Sequence, residues 1–283
     1  MDEVVGRDGT WTFDLEAVRI VPGHDRGVHK LRKALGELLV PLRAIAGISF
    51  EPGKKGGKLR LRLRAGTDPL TQATGGRFSD SADPYQLAVD SNQVAAGQLF
   101  AEAVRTTLLV HQTPSTPSDT YLMPAPPVPA SAAAGDGTAS FDGERIRLEW
   151  NWLAEESKSA GGAVELAIGD VSAVEWQPQT GIGHGYLRFR LKGVAAGAAP
   201  QHDRHCLAWG IQKEGGTTAL LAAAVISRLP HPYANPALPP AAPAPAQDPD
   251  AMLRRLRELG ELHKEGILTD EEFSVAKQTL LRS

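Results

Sequence analysis

The 283-residue chain has little sulfur, with one cysteine and three methionines. A single thiol, Cys206, excludes an internal disulfide and a cysteine-based zinc module, and it is typical of the reducing cytosol. Thirty Lys and Arg against 33 Asp and Glu leave a formal charge of -3, so no overall basic excess indicates nucleic acid or an anionic membrane. The apolar run from Ala219 to Ile226 is much shorter than the roughly 20 residues that span a bilayer. The start, MDEVVGRDGTW, lacks the basic and apolar regions of a signal peptide, so we expect a cytoplasmic protein without a transmembrane segment.

An internal repeat organises the rest of the chain, since three blocks of sequence occur twice in the same order. Each block predicts strands, and the last block of each copy leads into a helix. The matched blocks are 6–21 with 136–150, then 45–63 with 171–191, then 85–109 with 206–229.

Periodicity supports these assignments. Leu59, Leu61 and Leu63 alternate with arginines, as in a half-buried antiparallel strand. The closing helices are predicted from apolar residues at helical spacing. These residues are Leu99, Ala103, Val104 and Leu108 in the first copy, and Leu220, Leu221, Ala224, Val225 and Leu229 in the second. The fold class that we predict is α+β, with one C-terminal helix closing each antiparallel sheet.

Two stretches rich in Pro and Ala separate the predicted folded parts. We place the first domain at residues 1–112, a linker at 113–135 and the second domain at 136–230. A second linker follows at 231–249, and a helical hairpin at 250–283. Both linkers offer too little apolar surface to offset their chain entropy, and the prolines of the second favour an extended spacer.

The tail is predicted as two amphipathic helices. Leucines face one way along the first helix, and Thr269 with Glu272 forms a capping box that begins the second. A unit of about 30 residues buries only a minor core, so we expect it to pair with another copy or with a partner protein. The candidate association residues are Leu256, Leu259, Leu262, Ile267, Phe273, Ala276 and Leu280.

The segment LRRLRELGELHKEGILTDEEFSVAKQTLL, residues 253–281, resembles the short C-terminal oligomerisation module called SHOCT. The upstream blocks, above all Trp176-Gln177-Pro178 followed by 183–189, resemble a tandem actinobacterial domain of unknown function that accompanies this tail. The second copy fits better, because the first has basic residues at 54–58 where the second has the apolar 181–185. The resemblance implies two pleckstrin-homology-like (PH-like) domains, each an antiparallel sheet or partly open barrel with one C-terminal helix. It also implies a role in association, and it brings no catalytic residues.

The residues give no independent sign of catalysis, and we expect no enzyme activity, cofactor or metal. His202 and His205 beside Cys206 lack the third ligand of a catalytic zinc, so surface histidines and a buried thiol are favoured. Nucleophile-elbow, Walker and His-Glu-x-x-His motifs are absent. The glycines at 181, 183 and 185 join two strands, which favours a hairpin turn over a phosphate loop.

One basic cluster exceeds the background, with six cations within eleven residues: Lys54, Lys55, Lys58, Arg60, Arg62 and Arg64. Strand geometry places the three arginines on one face. Our first interpretation is a solvated face that protects the sheet, the second is anionic lipid, and nucleic acid is third. A second cluster, His29 to Lys33, lies in the insert of the first copy.

These patterns favour a non-catalytic interaction or scaffold protein. PH-like domains would supply recognition surfaces, and the tail would bind itself or a partner protein. The alternative is a peripheral membrane adaptor at the inner membrane face, whose first domain would hold anionic phospholipid through its basic hairpin.

Overall fold

The computed structural model divides the chain into two units, residues 1–234 and residues 235–283. It describes residues 2–181, 183–194, 198–210 and 215–234 of the first unit. Residues 260, 261, 264, 269 and 273 are described in the second. Most of the predicted tail therefore lies outside the described residues.

The first repeat is a seven-stranded antiparallel sheet with three helices. Its strands pair in the order β4-β3-β2-β1-β7-β6-β5, and the sheet curls into a half-barrel against helix α3. The strands are β1 Asp2–Gly6, β2 Gly9–Phe13, β3 Ala17–Pro22, β4 Leu38–Pro41, β5 Ile45–Gly53, β6 Gly56–Leu63 and β7 Gln86–Asp90. The helices are α1 Lys30–Leu35, α2 Pro69–Thr74 and α3 Val94–Val110.

The second repeat has the same sequence of strands in two sheets. Four strands pair in the order β11-β10-β9-β8, and three in the order β12-β13-β14. The strands are β8 Ala130–Ala134, β9 Gly137–Phe141, β10 Arg145–Trp150, β11 Val164–Ala167, β12 Val171–Gln177, β13 Gly185–Leu191 and β14 Cys206–Trp209. The helices are α4 Glu156–Ser159 and α5 Thr218–Ile226.

An aspartate joins the first and last strands of each repeat. In the first repeat, the Asp8 carboxylate accepts the Ala88 N–H at 3.0 Å, and the Arg7 N–H donates to the Ala88 carbonyl at 3.0 Å. In the second, Asp136 accepts the Ala208 N–H at 2.9 Å, and its own N–H donates to the Ala208 carbonyl at 3.1 Å. The two repeats are therefore built on one topology, although strand pairing continues across this junction only in the first.

Each aspartate also holds a buried cation from the short helix that follows the third strand. Arg32 of α1 pairs with Asp8, and Lys158 of α4 pairs with Asp136. The Lys158 side chain is fully buried, and its ammonium also donates to the Cys206 carbonyl at 2.7 Å. Buried charges are tolerated only when paired and hydrogen-bonded, so these two clusters fix the strand junctions.

One of the two buried hydrophobic clusters contains residues of both repeats. Helix α5 carries apolar side chains on all sides, and both sides are covered. One side packs on β8, β9, β12 and β13, and the other packs on α2 of the first repeat. Leu70 and Ala73 of α2 lie in the same buried cluster as Leu221 and Val225 of α5. Arg77 adds a hydrogen bond to the Gln177 side chain at 3.0 Å. Residues 1–234 form one compact unit.

The segment between the repeats is ordered against the first repeat. The Ser118 N–H donates to the Ala65 carbonyl and the Met123 N–H to the Thr67 carbonyl. The Met123 side chain is buried in the hydrophobic cluster that belongs to the first repeat. The predicted linker, residues 113–135, therefore follows the surface of the unit and then enters β8. Backbone hydrogen bonds and one buried side chain hold this segment in place, which its composition, rich in Pro and Ala, does not predict.

The predicted alternation and the two closing helices are confirmed. Leu59 and Leu61 are buried, while Arg60 and Arg62 are exposed. Helix α3 buries Phe100, Ala101 and Val104, but Leu99 faces outward and is 70% exposed. Leu99, one of the apolar residues from which the helix was predicted, therefore lies off the buried stripe, which passes through Phe100.

Candidate functional site

The β5–β6 hairpin presents two of the predicted cations at its tip. Gly53 pairs with Gly56 across a turn formed by Lys54 and Lys55, both of which are exposed. Gly56 has φ of +129°, and a Cβ there would lie 2.0 Å from the Val89 carbonyl oxygen, so only glycine fits. In the part of the chain that the structure describes, neither lysine has an ion-pair partner. The tip therefore presents two exposed lysines that no described acidic side chain neutralises.

Lys58 and Arg60 on β6 are already paired. Lys58 lies 2.8 Å from Asp80, and Arg60 lies 3.3 Å from the same carboxylate and 2.8 Å from the Gln86 side-chain oxygen. The hydrogen bond from Lys58 holds the pKa of the Asp80 carboxyl below its usual value. An anionic ligand would have to compete with Asp80 for both cations.

Arg62 and Arg64 separate at the end of β6. Arg62 is exposed on the outer face with Arg60, whereas Arg64 is buried after the last residue of the strand. The Arg64 guanidinium donates to the Arg43 carbonyl at 2.6 Å and to the Thr116 carbonyl at 2.8 and 3.0 Å. The expectation that all three arginines share one exposed face is thus wrong for Arg64, which ties the inter-repeat segment to the first sheet.

The second basic cluster is divided in the same way. Arg32 is buried against Asp8, while Lys30 and Lys33 are exposed on α1. At the place in the second repeat that corresponds to Arg60 and Arg62, Arg188 and Arg190 share Glu175. These two arginines of the second repeat are therefore paired within the fold.

The histidine pair of His202 and His205 directly precedes a buried thiol. His202 lies 3.3 Å from the Ser157 hydroxyl. Burial raises the pKa of the Cys206 thiol to about 12, so it is protonated at neutral pH. The predicted buried thiol is confirmed. Among the described residues there is no group of three His, Cys, Asp or Glu that could hold a metal ion.

Tyr85, a group with a raised pKa, lies inside the fold. The Tyr85 hydroxyl donates to Asp68 at 2.8 Å, and burial followed by the Asp68 charge raises its pKa. Asp68 also caps α2, accepting the Leu70 and Thr71 N–H groups. The hydrogen bond between Tyr85 and Asp68 therefore serves the packing of α2, the helix that contacts the second repeat.

Sequence reasoning missed one exposed feature, the loop between β10 and α4. Trp152 is 88% exposed and Leu153 is 42% exposed, the former being the most exposed of the large apolar side chains described. The signal was present as two large apolar residues in a polar connection, Asn-Trp-Leu-Ala-Glu-Glu. None of the candidate residues named from the sequence lies in this loop.

Of the tail candidates, only Phe273 is among the described residues. It is helical and half-buried, and its N–H donates to the Thr269 carbonyl at 2.9 Å. Leu256, Leu259, Leu262, Ile267, Ala276 and Leu280 lie outside the described residues. Over the described part of the chain, no helix combines the length and apolarity that crossing a membrane requires.

The structure defines a protein whose first unit repeats one antiparallel, helix-closed arrangement twice. A family described as a domain of unknown function, DUF4429, matches residues 11–105 and 139–226, which together make up more than half of the chain and fall one in each repeat. The chain belongs to this family. Residues 254–281 match the short C-terminal domain, SHOCT. A comparison with curated proteins found no match.

Proposed function

We propose that this protein is a non-catalytic interaction or scaffold protein. Its repeats would be PH-like domains that serve as recognition surfaces, and its C-terminal segment would bind a second copy or a partner protein. The PH-like assignment is supported by the antiparallel sheet of the first repeat and by the single long helix, α3, that follows it.

The observation that carries the proposal is a contrast between two kinds of side chain. Buried charged groups are paired inside the fold, whereas large apolar side chains lie exposed on the surface. Buried charged groups such as Lys158 and Arg64 are engaged in holding strands and segments in place. Large apolar side chains are instead left outside, with Leu109 and Val110 of α3 more than 70% exposed. Exposed apolar groups on a rigid framework favour association with other macromolecules.

Two tail substitutions test the association role. Changing Leu259 or Phe273 to Asp puts a charge on the predicted contact face, which costs several kcal/mol if that face is buried on association. Light scattering on the full-length protein should show a lower mass for both variants. Glu261→Ala, at an exposed position of the same segment, is the matched control and should keep the wild-type mass. Unchanged masses for both Asp variants would contradict the proposal.

The exposed Lys54 and Lys55 at the hairpin tip favour a second candidate function, a peripheral membrane adaptor. At about 1 kcal/mol for each basic residue near an anionic bilayer, removing one of these two lysines should lower vesicle binding roughly fivefold.

Liposome sedimentation with anionic vesicles measures this effect. Lys54→Glu and Lys55→Glu should both reduce binding, and Lys58→Glu should reduce it less, because Lys58 is already paired with Asp80. Lys192→Glu is the control, since it makes the same charge change at an exposed position of the second repeat. Equal losses for Lys54→Glu and Lys192→Glu would show a non-specific charge effect and exclude the hairpin as a lipid site.

A further inference from the structure

The Trp152 loop, residues 151–154, has a fixed backbone. The Asn151 N–H donates to the Asp136 carbonyl at 3.0 Å, and its side-chain amide donates to the Gly135 carbonyl at 3.0 Å. The Asn151 side-chain oxygen accepts the Leu153 N–H at 2.8 Å, and its carbonyl accepts the Ala154 N–H. Trp152 is therefore presented from a defined position.

The repeated framework does not require a tryptophan here. In the first repeat, Gly23 makes the hydrogen bond that corresponds to that of Asn151, from its N–H to the Asp8 carbonyl. The residues that follow Gly23 are His24 and Asp25, both polar and exposed. Trp152 and Leu153 thus add a large apolar group at a place where the fold accepts polar residues. Tryptophan is one of the side chains that are enriched among the hot-spot residues of protein interfaces.

The charge beside this anchor is negative. Glu155 and Glu156 follow Leu153, both are exposed, and within the described ranges neither carboxylate has a hydrogen-bond or ion-pair partner. A surface that receives Trp152 should therefore combine an apolar recess with a cation at its edge.

The same unit contains such a recess beside the end of α5. A cleft of about 450 Å³ lies between that helix end and the segment joining the repeats. Its apolar wall is formed by Pro69, Met123, Pro126, Pro127 and Val128. Arg228 lies at this cleft, is exposed, and has no ion-pair partner among the residues that the structure describes.

We propose that Trp152 of one molecule inserts into this cleft of a second copy, with Glu155 and Glu156 facing Arg228. The contact joins two different surfaces, so it is heterologous and can extend from one molecule to the next. It lies within residues 1–234 and is independent of the association proposed for the tail.

Sedimentation velocity of the full-length protein tests the contact through both partners. Trp152→Ser should weaken self-association by about thirtyfold, the usual loss for a tryptophan anchor. Leu99→Ser is the matched control, because it removes another exposed apolar side chain and should leave the association unchanged. None of these substitutions changes the tail, so a failure here is distinguishable from a failure of the association proposed for the tail.

A charge exchange distinguishes a direct contact from general loss of apolar surface. Arg228→Glu and the double variant Glu155→Arg/Glu156→Arg should each weaken association. Mixing the two proteins, or combining all three changes in one chain, should restore it, since opposite charges again face each other. Restoration supports the proposal, and its absence overturns it.

Fluorescence gives a second measurement on the intact protein. The difference between wild type and Trp152→Phe isolates the emission of Trp152, and acrylamide quenching of this component should fall as protein concentration rises. Quenching that does not change with concentration would overturn the proposal. This result is also the one expected if Trp152 binds a different protein instead of a second copy.

Discussion

The buried pair between Lys158 and Asp136 should carry a large part of the stability of the second repeat. Lys158→Met removes the ammonium while keeping most of the side-chain volume. The change leaves the Asp136 carboxylate, whose side chain is 10% exposed, without its counter-charge, and it also removes a donor from the Cys206 carbonyl.

Breaking a buried pair from one side costs about 3 to 5 kcal/mol, which is a substantial fraction of the 5 to 15 kcal/mol that stabilises a typical domain. The corresponding change in the first repeat, Arg32→Met, should cost less. The Asp8 side chain is 21% exposed there, so water can solvate the carboxylate that is left behind.

Urea unfolding followed by tryptophan fluorescence measures both losses. The indole of Trp150 lies 5.0 Å from the Lys158 ammonium, so its emission reports on this region directly. Lys192→Met is the control for removing a lysine at the surface, and it should change the free energy of unfolding by no more than about 0.5 kcal/mol. A loss below about 1 kcal/mol for Lys158→Met would refute the reasoning that the pair holds the β8–β14 junction together.

Three other predictions concern the interior of the first unit. Arg64→Ala should destabilise the protein by about 2 to 3 kcal/mol, because it removes charge-assisted hydrogen bonds to two carbonyls, and limited proteolysis should then cut near Thr116; an unchanged cleavage pattern would mean that Arg64 does not hold this segment. Cys206 should react with a thiol reagent only after unfolding, and rapid labelling of the native protein at pH 8 would contradict its burial. Because burial raises the pKa of this thiol from 9.0 to about 12, its contribution to stability is complete below pH 9 and is lost as the pH rises towards 12; alkaline unfolding of Cys206→Ala measured against wild type checks this sign.

Much of the fold could be predicted because the repeat placed strands and closing helices by comparison of one half with the other. Leu59 and Leu61 were correctly assigned to the core from alternation alone. Helix α2 was missed although it has the signals of a helix start, with Asp68 as N-cap and Pro69 in the first turn. Its six residues are too few to show a helical period, and its stability comes from α5 of the other repeat, a contact that no local pattern reveals.

The candidate basic site shows the same limit. The sequence gives the number of charged residues in a segment. Whether each charge is free to bind a ligand depends on partners that are distant in the chain. Arg64 meets Thr116, and Lys58 meets Asp80. Six cations within eleven residues therefore reduce to the exposed tip of Lys54 and Lys55 together with Arg62. Trp152 was passed over for the opposite reason, because exposure cannot be recognised until the loop that carries it is placed.

The central claim, that this protein works by association, is tested most directly by the mass in solution of the full-length chain and of a chain lacking residues 250–283. Light scattering should give the complete chain a mass that is a multiple of its 30.1 kDa and should give the shortened chain a smaller multiple, with its circular dichroism showing a folded sheet. The same multiple for both chains would contradict the claim that the C-terminal segment drives association.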